Sequence, residues 1–149
     1  MKTATLIARI VLGLIFVVFG LNGILHFITQ PEMPQAAITF FGGLAAAGYM
    51  LPLLFGTQIV GGVLLLIGMV VPLALLILAP VIVNILGFHL FVSPSGLGFA
   101  LVVAALELFL AWAHRDAFRP LVASSASAVG VAQERRVDGA TGRLGEVSR

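Results

Sequence analysis

The sequence predicts an all-α membrane protein: a bundle of four transmembrane helices, with one further short helix between the first and second crossings. Of its 149 residues, 60% are apolar and 9% are charged, whereas a soluble domain carries about 25% charged residues. The apolar residues fall into stretches of roughly 20, which is long enough for a helix to span a bilayer. Polar or proline-containing breaks separate these stretches.

The first crossing is predicted from Thr5 to Phe27, a stretch in which Arg9 is the one charged residue. The competing interpretation is a secretory signal peptide. The apolar run is longer than a signal's apolar region, and no A-x-A-like cleavage site follows it. We therefore expect a helix that spans the membrane.

A short helix is predicted after a proline-rich break, because Pro34 suits the first turn of a helix. Within Gln35–Tyr49, about 14 helical residues would rise about 21 Å, less than the hydrocarbon thickness of about 30 Å. Leu51 precedes Pro52 and is expected to leave helical geometry. We predict an interfacial or re-entrant helix, and the alternative is the beginning of one long, kinked membrane helix.

Three further crossings complete the predicted bundle. They are Leu53–Val70, Leu73–Val92 and Leu97–His114. Val71 and Pro72 form a tight turn, and the segment 93–96 (SPSG) is a second strong turn signal. The helical domain is predicted to cover 1–120. The polar tail, 121–149, is expected to be disordered because it cannot bury enough apolar surface to fold.

Positive charge lies on one side of this topology. Lys2 precedes the first crossing, six arginines follow the last one, and the connections between the crossings contain no Lys or Arg. The positive-inside rule then places both chain ends in the cytoplasm of a multi-pass cell-membrane protein. That orientation requires an even number of crossings, in agreement with four.

Polar side chains within the crossings are functional candidates because their burial in lipid is costly. Glu107 lies near mid-membrane on the fourth crossing, on a face whose small residues allow close helix packing. An isolated carboxylate there would be costly, so we expect Glu107 to be protonated or paired. We predict an Arg9–Glu107 pair that fixes helix register. The alternatives are a proton-relay or ligand role for Glu107, and an Arg9 that reaches the lipid headgroups.

Four other polar residues are expected in the outer half of the bundle. Asn22 and His26 share a face of the first crossing, Gln58 lies on an inward face of the second, and His89 lies near the outer end of the third. They predict a ligand pocket to which Glu107 contributes and which the short helix caps. The alternative for each histidine is a neutral ring that bonds a backbone carbonyl or lies at headgroup level.

Several other chemistries are disfavoured. The absence of cysteine excludes disulfides and thiolate metal sites, and no metal site is predicted. Haem ligation by two histidines is disfavoured because the outer side lacks basic residues for the propionates. The tail arginines are spaced among acids and do not predict nucleic-acid binding. Asn84 follows Pro80 by one turn, and we interpret it as a local partner for the carbonyl that the proline leaves free.

Four stretches carry a family resemblance. They are ARIVLGLIFVVFGLNGILHF, GGLAAAGYMLPLL, LAPVIVNILGFHLFVSPSGL and LELFLAWAHRDAFRP. They resemble the DoxX family of small four-helix membrane proteins, and the last two are the most distinctive. Members are usually described as membrane oxidoreductase components, related by name to the membrane subunit of a thiosulfate:quinone oxidoreductase. The resemblance implies a redox association but assigns no catalytic residue, since fold does not imply function.

Three hypotheses follow from the sequence. The first is a redox-associated subunit without a redox centre of its own, which binds a quinone-like or other lipophilic ligand in the outer half of the bundle. A partner protein or a bound cofactor would supply the electrons. A quinone needs two protons per two-electron reduction, which suits the buried Glu107. The second is a non-enzymatic scaffold or assembly factor. The third is a small transporter, which would need a homo-oligomer to form a path.

Overall fold

The fold is known from a computed structural model that describes residues 2–29 and 32–119. Its helices are α1 (Lys2–Leu25), α2 (Gln35–Ala46), α3 (Met50–Ile67), α4 (Val71–Phe91) and α5 (Leu97–Ala113), with a 3₁₀ turn at Pro94–Gly96. Four of these helices are long and apolar enough to cross a membrane: α1, α3, α4 and α5. The span of α5 includes the 3₁₀ turn that precedes it. The predicted fold class is confirmed, including the short helix between the first two crossings.

The four long helices form a closed ring. Helix α1 packs against α3 and α5, and α4 packs against the same two helices, so α1 and α4 occupy opposite corners. Leu12, Phe16, Leu65 and Leu78 are almost fully buried at the centre. Large apolar side chains such as Leu108, which is 70% exposed, cover the outside, as expected for a surface in contact with lipid.

Helices α1 and α3 approach most closely, and the residues at their contact explain why. A Cβ on Gly62 of α3 would lie 2.8 Å from the carbonyl oxygen of Gly13 and 2.9 Å from the backbone nitrogen of Val17. Backbones meet this closely in membranes where small residues replace large ones. The register of α1 against α3 therefore depends on glycine at this position.

The boundaries of α3 differ from the predicted ones. The helix begins at Met50 rather than Leu53, so Leu51 is helical, and the expectation that it leaves helical geometry is wrong. Pro52 lies within the first turn, where a helix tolerates proline because those N–H groups lack partners in the helix. At its other end α3 stops at Gly68, whose φ of 77° is readily adopted by glycine.

Helix α2 has 12 residues, so it rises about 18 Å and is too short to cross the hydrocarbon core. It packs against α3 and reaches the end of α4 through aromatic side chains. The Phe40 and Phe41 rings each lie 5.3 Å from the ring of Phe88. We call this end of the bundle the α2 end, and the opposite end, where α3 stops at Gly68, the Gly68 end.

The chain up to His114 forms one compact unit, and Arg115 begins a second. Residues 115–119 are helical, and an exposed ion pair joins Arg119 Nη1 to Asp116 Oδ1 at 3.3 Å. The predicted disordered tail, 121–149, lies outside the described residues.

Candidate functional site

Asn22 shapes the end of α1. Its side chain is 5% exposed, and its Oδ1 accepts a hydrogen bond from the backbone N–H of Ile28 at 2.6 Å. Its own carbonyl accepts from the N–H of His26 at 2.8 Å. The residue therefore holds the chain as it leaves the helix, and its side-chain oxygen is already used.

His26 lies on the turn that follows α1. It has a φ of 54°, which non-glycine residues seldom adopt, and its side chain is exposed. His26 follows α1 while His89 lies on α4, and those helices occupy opposite corners of the bundle. The described structure does not bring the two histidines onto facing helices.

His89 is half-buried on the last turn of α4, where its Nδ1 lies 2.9 Å from the carbonyl oxygen of Ser93. A carbonyl oxygen only accepts, so Nδ1 carries the hydrogen, and in the neutral ring Nε2 is left as an acceptor. The ring also covers Gly96, because a Cβ there would overlap the imidazole. His89 thus stabilises the turn between α4 and α5 and keeps one free lone pair.

One aromatic ring, that of Phe88, contacts this histidine, and two further rings contact Phe88. The Phe88 ring stands edge-on to His89 at 5.1 Å, and the Phe40 ring stands edge-on to Phe41 at 5.6 Å. We call Phe40, Phe41, Phe88 and His89 the aromatic cluster. Aromatic pairs prefer such tilted and edge-on arrangements. Of these four residues only His89 was predicted as a site residue from the sequence, although the FF pair of α2 and the adjacent FH of α4 are a signal for the aromatic cluster.

Gln58 belongs to the contact between α1 and α3. Gln58 is 7% exposed, and a Cβ added to Gly20 would lie 3.2 Å from the Cβ of Gln58. The inward face predicted for Gln58 is therefore seen. Its closest neighbour in this contact is α1, whereas the aromatic cluster lies on α2 and α4.

Glu107 lies inside the bundle, as its neighbours predicted. It is 7% exposed, on the same face of α5 as Val103 and Leu110. Its Oε2 is buried and has no hydrogen-bond partner among the described residues. Glu107 follows Gly96 by eleven residues, or about 16 Å along the helix. It is therefore well separated from His89, which covers Gly96, and the two do not line one small pocket.

Arg9 is directed toward the end of α3. Its guanidinium occupies the space that a Cβ on Gly68 would take, and its Nε is buried without a partner in the described chain. A helix C-terminus carries partial negative charge, which favours a cation there. Within residues 2–29 and 32–119 no ion pair within 4.0 Å joins Arg9 to Glu107. The predicted pair is absent from this arrangement, in which the guanidinium lies at the Gly68 turn instead.

Asn84 faces outward from α4. Its side chain is exposed and makes no hydrogen bond within the described part of the chain. The local role beside Pro80 that the sequence suggested is therefore not seen. Among those same residues, no three His, Asp or Glu side chains are grouped closely enough to hold a metal ion.

The comparisons with known proteins agree with this architecture. No curated protein and no solved structure matches the chain. The family model for DoxX matches residues 4–93, more than half of the sequence, including α1 to α4 and His89. The stretch LELFLAWAHRDAFRP lies beyond the matched range, so its resemblance is not tested by this match. With four membrane helices and this match over the first three of them, the chain belongs to the DoxX family.

Proposed function

We propose that this protein is a redox-associated membrane subunit that binds a quinone-type ligand at the aromatic cluster. The observation that carries the proposal is the contact between His89 Nδ1 and the Ser93 carbonyl at 2.9 Å. It leaves Nε2 as an acceptor beside Phe88 at the edge of the bundle. The hydroxyl of a reduced quinone is a donor that suits this acceptor.

The surroundings of His89 suit the rest of such a ligand. Phe40, Phe41 and Phe88 supply ring contacts at 5.3–5.6 Å spacing, and aromatic pairs favour tilted or offset arrangements of this kind. Leu90, the residue after His89, is 53% exposed, so an apolar tail has a lipid-facing surface to follow. Ligand sites in membrane bundles combine apolar walls with few polar groups in this way.

Glu107 has a separate role in this proposal. Reduction of a quinone to a quinol takes up two protons and two electrons; a redox partner protein supplies the electrons, because the side chains of this chain do not store them. A buried carboxyl oxygen without a partner is a place where a proton can be held. At about 16 Å from the aromatic cluster, Glu107 does not touch the ligand. Asn22 and Gln58 shape the bundle, and His26 lies at its α2 end.

A direct test compares two histidines that are bonded alike. His89 and His114 each place Nδ1 2.9 Å from a backbone carbonyl oxygen, of Ser93 and of Leu110 respectively. His89→Leu should weaken binding of a short-chain ubiquinol by about fivefold to tenfold, the value of one hydrogen bond. His114→Leu should leave binding unchanged. The measurement is the thermal stabilisation of detergent-solubilised protein across a quinol titration.

A second pair of variants leaves His89 in place. Gly96→Ala should displace the imidazole, because a Cβ there overlaps the ring, whereas a Cβ on Gly98 meets no described atom within 4 Å. Of the two variants Gly96→Ala and Gly98→Ala, only Gly96→Ala should reduce quinol binding. Equal binding by wild type, His89→Leu and Gly96→Ala would refute the proposed ligand site.

Two other outcomes would favour the alternative functions. Normal function in those variants, with loss of function on deletion of 120–149, would favour the scaffold. Proton or solute flux that depends on Glu107 would favour the transporter.

We also infer that the Gly68 end faces the cytoplasm. Lys2 and the arginines that follow α5 support this orientation, because cytoplasmic flanks carry the excess of Lys and Arg. The chain has no cysteine, so single cysteines report accessibility without background. In intact cells a membrane-impermeant maleimide should label Ser95→Cys and not Thr3→Cys. The opposite pattern would reverse the topology.

A further inference from the structure

The outward position of Asn84 is unusual for a membrane helix. Helix α4 rises about 30 Å, and Asn84 lies seven residues, or about 10 Å, from its nearer end. That depth is within the hydrocarbon core. The side chain is exposed and has no partner among the described residues. An amide that faces acyl chains loses the hydrogen bonds that it makes in water, which is costly.

The surface around Asn84 is not filled by this chain. Ile77 lies two turns earlier on the same face of α4 and borders a shallow groove of about 310 Å³ with Pro52, Leu53, Gly56, Thr57 and Val60 of α3. A Cβ on Gly56, or on Gly87 one turn beyond Asn84, would meet no described atom within 4 Å. Small residues at an open helix surface permit close approach of another helix.

We propose that this face of α4 binds α4 of a second copy of the chain in a symmetric dimer, with the two Asn84 side chains hydrogen-bonded to each other. The self-complementarity of the amide carries the choice of occupant. An asparagine has both donors and an acceptor, and a twofold axis places a residue opposite its own counterpart. Two copies in the same membrane orientation therefore satisfy both amides, whereas lipid satisfies neither.

The proposed dimer also fixes which other surfaces of the bundle lie near the twofold axis and which face lipid. Phe91 lies seven residues after Asn84, on the same face of α4 and at the membrane edge, and is 86% exposed. Helix α1 occupies the opposite corner of the bundle and remains in contact with lipid. The aromatic cluster keeps its contacts within one chain, because α2 reaches α4 through Phe88.

Single-cysteine crosslinking in native membranes tests the dimer, since the natural chain has no cysteine. Phe91→Cys should form a disulfide-linked species of twice the chain mass on oxidation with copper phenanthroline. Ile24→Cys, at the same end of the bundle on α1 and 52% exposed, is the control and should not. Equal crosslinking at both positions would indicate random collision and overturn the proposal, as would a product whose mass shows a different protein.

The role of Asn84 is tested in the Phe91→Cys background. Asn84→Leu should reduce the crosslinked fraction by about threefold to tenfold, the value of one or two interhelical hydrogen bonds in a membrane. Asn84→Gln keeps the amide and should retain part of the dimer. Val83→Leu, at a neighbouring lipid-facing position that is 69% exposed, should change nothing. Because leucine suits a lipid-facing site, the Asn84→Leu monomer should fold normally, and an unchanged crosslinked fraction in it would overturn the assignment.

Discussion

The two ends of the bundle treat their polar side chains differently. At the α2 end, Asn22 Oδ1 and His89 Nδ1 each bond a backbone group within six residues of themselves. Toward the Gly68 end, Arg9 Nε and Glu107 Oε2 are buried and have no partner among the described residues. Local bonds need only a turn of the right shape. A bond between helices needs two side chains to reach the same point, and there Arg9 is directed to the α3 terminus instead.

The polar side chains therefore differ in whether their hydrogen-bonding atoms are already bonded within the chain or are left free for another group. The side-chain oxygen of Asn22 already accepts a hydrogen bond from Ile28, so removal of the Asn22 amide should reduce stability. His89 stabilises a turn and still offers Nε2, which allows a structural and a binding role together. Glu107 has no described hydrogen bond to lose through Oε2, so its removal should cost little stability.

The largest expected effect is at the turn where Arg9 packs. Gly68→Ala should reduce the free energy of unfolding by about 2–3 kcal/mol, because a side chain at positive φ costs about 1–2 kcal/mol and the Cβ overlaps the guanidinium. Gly48→Ala is the control, with a φ of 75° and no described atom within 4 Å of the added Cβ. Reversible unfolding in mixed detergent micelles, followed by circular dichroism, measures both. Equal losses would mean that Arg9 does not pack there.

A smaller loss is expected at the α2 end. Asn22→Leu leaves the Ile28 N–H without its acceptor, which should cost about 2 kcal/mol. Asn84→Leu makes the same chemical change at a lipid-facing site without a described bond, so it should cost nothing in dilute detergent. The same unfolding assay compares them. If both variants lose stability equally, the contrast between bonded and unbonded polar groups fails.

The smallest effect is expected at Glu107. Glu107→Leu should leave the free energy of unfolding unchanged or raise it by up to about 1 kcal/mol, since a buried polar group without a partner is destabilising. A double-mutant cycle with Arg9→Leu checks the pair predicted from the sequence. A coupling above about 1 kcal/mol would show that Arg9 and Glu107 interact in the membrane after all.

Much of the fold was predictable because a bilayer constrains length and composition. The four crossings, the short helix after the proline-rich break and the inward face of Glu107 all follow from apolar runs and helical spacing. The helical state of Leu51 was missed because a proline in the first turn does not break a helix. The outward face of Asn84 was missed because α4 is apolar on every side and shows no preferred face.

The sequence alone determined how often the chain crosses the membrane and which residues are polar within it, since spanning the hydrocarbon requires about 20 apolar residues whatever their neighbours. The tertiary structure decided what each polar group meets. His89 bonds Ser93 and Asn22 bonds Ile28, whereas the Arg9 guanidinium packs at Gly68. A hydrogen bond depends on distances of about 3 Å, and those distances follow from how helices pack and where turns close, which hydropathy does not encode.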